Sequence, residues 1–175
     1  ANGPEMPGLP IASQSEIEMA LPRGITNGPI GSVETDAMLE DETAIISHYR
    51  AVLPADCDQE GRIVSRALIS FFTNGAPHIW DMMGLKSGWL EKHNLGRVAV
   101  EMRLDPLAPN PAGDLLRMLS WLETSGKKTF AIRHQIEEYK SGKAVAAGAV
   151  VGLLMDLKAR RAVAMPDEVL ARWAR

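Results

Sequence analysis

Three acids, a thiol and an amide crowd one short stretch of this chain, Asp56-Cys57-Asp58-Gln59-Glu60-Gly61. A carboxylate in such a loop can draw a proton from water or add to a carbonyl itself, so acyl-transfer chemistry is open to it. The segment that follows sharpens this. Ile63 to Met83 carries Leu68, Phe71, Phe72, Ile79, Met82 and Met83, too long and too poor in β-branched residues for a strand, and is predicted as a buried helix. A helix start offers unpaired N–H groups and partial positive charge, which suit the oxyanion formed when an acyl carbon is attacked. Aspartates before helices also serve as caps and turn-formers, so position alone does not choose among these acids. Asp56 reads as a turn residue and Glu60 as a solvated one, yet either fits the role if the loop is set differently.

Other reactive residue types offer less. Cys57 stands between two acids, which disfavour a thiolate. His48, His78, His93 and His134 are scattered without ligand spacing, so no metal site is expected. Asp81 is the one acid inside the apolar helix and lies far from its start.

The elements that must position the loop follow from patterning. Ala44 to Leu53 reads as a strand through Ile45, Ile46, Tyr49 and Val52, closed by Pro54. Asn74, Gly75 and Pro77 should kink the helix. Beyond a mixed segment with Trp89 and His93, Val98, Val100, Met102 and Leu104 alternate with Glu101, Arg103 and Asp105, predicting a strand with one wet face. Strands are also expected over Leu115 to Thr124, Thr129 to Glu138 (with Phe130, Ile132, His134 and Ile136 on one face) and Val145 to Leu157. Tight turns at Ser125-Gly126 and Ser141-Gly142 make these antiparallel neighbours. Pro166 to Trp173 reads as a short terminal helix. One apolar helix and one antiparallel sheet with an apolar face can hide those surfaces only against each other, giving an α+β domain.

At 175 residues and 46% hydrophobic content the chain has enough material for one domain with a core of its own. The first forty residues are different. Five prolines interleave with five glycines, one arginine faces six acids, and the segment reads as an arm, leaving 41–175 as the domain. The net charge is -3 overall, -5 in the arm and +2 in the rest, which excludes the strongly basic face of a nucleic-acid binder. A single cysteine favours a reducing compartment, and the longest apolar run, Ala144 to Leu157, falls short of the roughly 20 residues of a membrane span. A soluble, cytoplasmic protein with no membrane or nucleic-acid partner is expected.

The residues from Asp56 to Val64, lying between a first strand and an apolar helix, resemble the Asp-x-Asp-x-x-Gly loop of hotdog-fold acyl-CoA thioesterases of the 4-hydroxybenzoyl-CoA thioesterase type. Leu104 to Leu116 and Gly126 to Gln135 are similar too, so the resemblance spans roughly Ala44 to Leu157. It implies a single hotdog domain, a curled antiparallel sheet of about five strands around one long buried helix. It also implies hydrolysis of an acyl thioester, an acyl-CoA or a carrier-protein thioester, without a cofactor. The catalytic carboxylate falls on Asp58 and the carbonyl-polarising N–H on Ser65, with Gln59 a candidate for holding water. Gly61, Arg62, Phe71, Phe72, Lys127 and Lys128 are candidates for substrate binding, with Arg66, Arg160 and Arg161 as further basic groups. A homodimer or homotetramer with sites between subunits is implied. Gln59, Ser65 and Pro106 depart from the residues common in the family, which bears on the acyl group more than on the reaction. A non-catalytic acyl-thioester-binding or dimerisation module is the alternative from another class. A hydroxyacyl-thioester dehydratase would want a histidine near the helix start, where none of the four lies.

Overall fold

The computed structural model describes residues 13–15 and 29–173; most of the expected arm lies outside the described residues. In chain order the elements are α1 (Asp36–Glu40), β1 (Ile45–Ala51), a 3-10 turn (Pro54–Asp56), α2 (Ser65–Met82), α3 (Ser87–Lys92), β2 (Leu95–Pro106), β3 (Leu115–Ser125), β4 (Thr129–Glu138), β5 (Ala144–Asp156), β6 (Arg161–Val163) and α4 (Asp167–Trp173). The strands form one antiparallel sheet in the order β1-β3-β4-β5-β2. The short β6 pairs with Leu154–Asp156 of β5, beyond the point where β4 ends.

Helix α2 turns Ala67, Leu68, Phe71, Phe72, Gly75 and Ile79 inward, a stripe at helical spacing that faces the sheet. Two apolar clusters form along it. One joins Leu68, Phe71 and Phe72 to Leu116, Met118, Ile136 and Val145; the other joins Ile79 and Met83 to Leu85, Phe130, Ile132 and Leu154. At about 1.5–3 kcal/mol for each large side chain withdrawn from water, these clusters hold helix to sheet. The helix runs on through Pro77 instead of breaking there. Thr73 and Pro77 both lie on its exposed side, so the lost ladder bond falls where solvent can satisfy the carbonyl, while Phe72 and Ile79 anchor the turns on either side.

Two bulges re-aim side chains. In β2 the register shifts between Ala99 and Glu101, which breaks the simple alternation expected from Val98 to Leu104. Val98 pairs with Leu153, whereas Met102 and Leu104 pair with Val150 and Gly148 and share their inward face. Val100 is left 53% exposed on this edge strand. In β1 the shift falls between Ile46 and His48, at Ser47, which is buried.

The outer face of the sheet is strapped by residues 30–35. Alternate β4 side chains grip this segment: Arg133 donates to the Ile30 carbonyl (3.1 Å), Gln135 exchanges two 2.9 Å bonds with the Val33 backbone, and Glu137 accepts from Thr35 Oγ1 (2.6 Å). Asp105 of β2 accepts from the Ile30 N–H (2.7 Å). Thr35, Gln135 and Glu137 lie buried, and Arg133 and Asp105 half-buried, on a face that alternation alone leaves open.

Candidate active site

The acidic loop is built by its own hydrogen bonds. The 3-10 turn redirects the chain after β1, a bridge between Cys57 and Ile63 pins the loop's ends, and Gly61 supplies the left-handed conformation at its tip (φ 76°). Asp58 is the hub. Its N–H donates to the Arg62 carbonyl (2.8 Å), and its carbonyl accepts from Gly61 (3.0 Å). Its Oδ1 accepts from the N–H groups of Glu60 (3.1 Å) and Arg62 (2.8 Å), and Oδ2 from Arg62 Nε (3.1 Å). These bonds, the Arg62 N–H first, hold the Asp58 carboxyl below the usual carboxylate range against the opposing effect of desolvation. It is therefore an ionised group at neutral pH, suited to accept a proton or attack, not to donate.

Asp56 is tied down instead. Burial works to raise its pKa, but the Leu53 N–H (3.0 Å) and the Arg50 guanidinium outweigh that and lower it. Arg50 also donates to Ser70 Oγ on α2 (2.7 Å) and lies over the Phe71 ring, so one side chain ties β1, the loop and the helix together. The loop's other end is joined to the helix by Val64 N–H donating to the Asp56 carbonyl (2.9 Å). No side chain caps α2. The N–H groups of Ser65 and Arg66 make none of the described hydrogen bonds, as the first amides of a helix do, but neither residue is in the wall of the cleft beside Asp58.

Asp58 and Arg62 line a cleft of about 340 Å³, walled by Ile63, Leu68 of the helix and the Pro106–Pro109 segment. A second, more apolar chamber of about 300 Å³ lies between α2 and β2 and shares no lining residue with the cleft. As α2 runs from Leu68 to Phe72 and Ala76, the antiparallel β2 runs back from Pro106 to Met102, and the chamber takes Phe72, Ala76 and Met102 into its wall.

The structure does not gather all the expected site residues. Gln59 is exposed on the loop and does not line the cleft. Phe72 lines the chamber, but Phe71, next to it and about 100° round the helix, is core packed edge-on to His48. Lys127 and Lys128 are exposed in the β3–β4 hairpin. That hairpin lies past the Ile45–Ser120 end of β1, whereas the loop follows the Ala51–Leu115 end, so the two sit at opposite ends of the sheet in one chain. Sequence reasoning passed over Arg50 and His134. The latter's signal was a polar residue at an inward position between Ile132 and Ile136. Among the described residues no group of three or more His, Cys, Asp or Glu side chains could hold a metal ion, and no helix is long and apolar enough to cross a membrane.

Residues 52–173 match the family model described as the thioesterase-like superfamily. The chain belongs to that superfamily. Thioester hydrolysis is accordingly its reaction class. No curated protein matches the chain by sequence. Among solved structures, this thioesterase-like chain is similar to a 1,4-dihydroxy-2-naphthoyl-CoA thioesterase from Synechocystis (16% identity, 74% of this chain and 95% of that one, TM-score 0.63). It is similar to a probable thioesterase from Escherichia coli (21%, 73% and 96%, 0.64) and to a Staphylococcus aureus protein in complex with CoA (14%, 75% and 81%, 0.66). At these identities the likeness speaks for the fold, which is the hotdog fold.

Proposed function

We propose that this thioesterase-like protein hydrolyses an acyl-CoA, with the Asp58 carboxylate acting at the carbonyl and the Ser65 N–H stabilising the oxyanion. The observation that carries the proposal is that Asp58, ionised, lines a cleft to which the central helix contributes Leu68. Asp58 drives attack by drawing a proton from water or by adding to the carbonyl; the C–S bond then breaks. The leaving thiolate has a pKa near that of a cysteine, about 8.5, so it departs without a strong general acid. Coenzyme A is favoured because two of the similar folds are, by name, a naphthoyl-CoA thioesterase and a CoA complex. Arg62 beside the cleft is the nearest cation for its phosphates.

A second copy of the chain fits the β2 edge. This strand is twelve residues long, pairs with β5 alone among the described strands, and exposes Val100 and Met102 (53% and 45%). Edge pairing there would bring a partner's basic residues, Lys127 and Lys128 among the candidates, toward the groove. A single cysteine suits a reducing, cytoplasmic setting.

Incubation with a panel of acyl-CoAs, read by free-thiol release, tests this reading. Turnover by the parent protein and a loss of about 10²–10⁴-fold in kcat for Asp58→Asn are expected. Asparagine keeps an oxygen for the Glu60 and Arg62 N–H groups, so the loop should hold its shape. Unchanged turnover in that variant would remove Asp58 from the mechanism, whereas no turnover by the parent protein would leave a binding module as the better account.

A further inference from the structure

Arg97 of β2 is a half-buried cation, and none of the ion pairs among the described residues gives it a carboxylate. Two contacts fix its place. Nη1 donates to the carbonyl of Leu85, a core residue (3.3 Å), and the guanidinium lies over the Trp80 ring, 5.2 Å from its centroid. Trp80 in turn stands edge-on to the buried Phe130 (ring centroids 5.6 Å apart, 79° between planes). The guanidinium is thus held in position before any ligand arrives.

Its Nε and Nη2 make none of the described hydrogen bonds. Neither is sealed inside protein, since among the described residues His48 Nε2 is the one buried side-chain nitrogen or oxygen without a partner. These N–H groups therefore face open space. Burial pulls the Arg97 pKa down without removing the charge, so the cation sits at a cost in solvation that an anion would offset.

Two open spaces meet at this side chain. One is the apolar chamber of about 300 Å³, with Phe72, Ile79, Ile132 and Val150 in its wall; the other is a cavity of about 600 Å³ whose wall includes the exposed His78, Lys86 and Ser87. Thr73, Ala76, Trp80 and Arg97 belong to both walls, so the two adjoin. Lys86 already has Asp81 at 2.5 Å. That leaves the Arg97 guanidinium as the charge without a counter-ion, which matches a monoanion better than a phosphate dianion.

We propose that Arg97 anchors a small organic monocarboxylate, its head on the guanidinium and its apolar body in the chamber. A planar carboxylate matches the fork of Nε and Nη2, which offers two parallel N–H donors. The body is short, because the chamber lies at the low end of the roughly 300–1,000 Å³ of ligand pockets. Neither space shares a lining residue with the Asp58 cleft, so this site goes beyond the thioesterase reading and stands without it.

Titration calorimetry of the full chain with octanoate, octanol, octylammonium and acetate tests this. Octanoate should bind about 10-fold or more tightly than each of the others, since acetate lacks the body, the alcohol lacks the charge and the amine reverses it. Arg97→Gln should lose about 10-fold or more of the octanoate affinity, and Arg97→Lys should recover part of it. Absent octanoate binding, or equal binding of the alcohol, would overturn the inference. Proton NMR of the parent protein keeps the test open if the glutamine variant unfolds: nuclear Overhauser contacts should join the octanoate methyl to Ile132 and Val150. Contacts to Ile63 in their place would put the ligand in the Asp58 cleft and overturn the assignment.

Discussion

Arg62 grips Asp58 from both of its ends, its backbone N–H donating to Oδ1 at 2.8 Å and its guanidinium Nε to Oδ2 at 3.1 Å. The backbone bond shapes the loop and survives any substitution that keeps an N–H. The guanidinium bond is different, because it belongs to the side chain and lowers the proton affinity of the proposed catalytic group.

Arg62→Ala should therefore raise the Asp58 pKa toward its ordinary value. A base with a raised pKa needs a higher pH to be ionised, so the acid limb of the kcat/KM profile should move to higher pH. KM for acyl-CoA should rise as well if the guanidinium also meets phosphate. A pH–rate profile of parent and variant checks both, and an acid limb that stays in place would separate Asp58 from the chemistry.

Arg50 offers a second test, in stability. Its guanidinium joins Asp56, Ser70 and the Phe71 face, and Asp56 is 8% exposed. Arg50→Met leaves that carboxylate without its cation and should cost about 2–4 kcal/mol in urea unfolding. The double variant Arg50→Met with Asp56→Asn should recover part of the loss, since the stranded charge is gone. Turnover should fall in the single variant, because the loop that carries Asp58 loses its tie to the helix.

Much of this arrangement was legible in the sequence where side chains report directly on burial. Thr129 to Glu138 was bounded by its own alternation, and the loop and helix by the change from acids to a long apolar run. The β2 bulge was not legible: Val98, Val100, Met102 and Leu104 alternate perfectly as letters, and one extra backbone residue at Val100 alters the faces without altering the pattern. The cover over Arg133, Gln135 and Glu137 was not legible either, because a strap of backbone that buries polar side chains leaves no apolar mark on the strand beneath it. Asp58 was nameable only through resemblance. Three acids in one loop look alike until the fold ties Asp56 to Arg50 and turns Asp58 to the cleft.

His134 should make the protein acid-sensitive in a defined window. Its folded pKa is about 3 against an ordinary 6.5, so between those values the unfolded chain binds a proton that the folded one refuses. Stability then rises with pH through this window and drains away as pH falls from 6.5 toward 3. Between pH 7 and pH 5 the parent should lose about 2 kcal/mol more than His134→Phe, which has no such group. Urea midpoints at the two pH values measure the difference, and parallel losses would mean that His134 is not desolvated.

Packing around the same ring gives the last test. Gly148 pairs with His134 across the sheet, and a Cβ there would lie 2.1 Å and 2.6 Å from two Phe72 ring atoms and 3.0 Å from the Arg103 carbonyl. The Phe72 ring thus occupies the space that a side chain on β5 would claim, which holds it flat on His134. Gly148→Ala should cost about 1–3 kcal/mol through overpacking. Because the ring provides most of the clash, Phe72→Leu should relieve part of that cost, and the double variant should be less destabilised than the two single losses summed. Additive losses would place the obstruction at the Arg103 carbonyl, which cannot move without shifting β2.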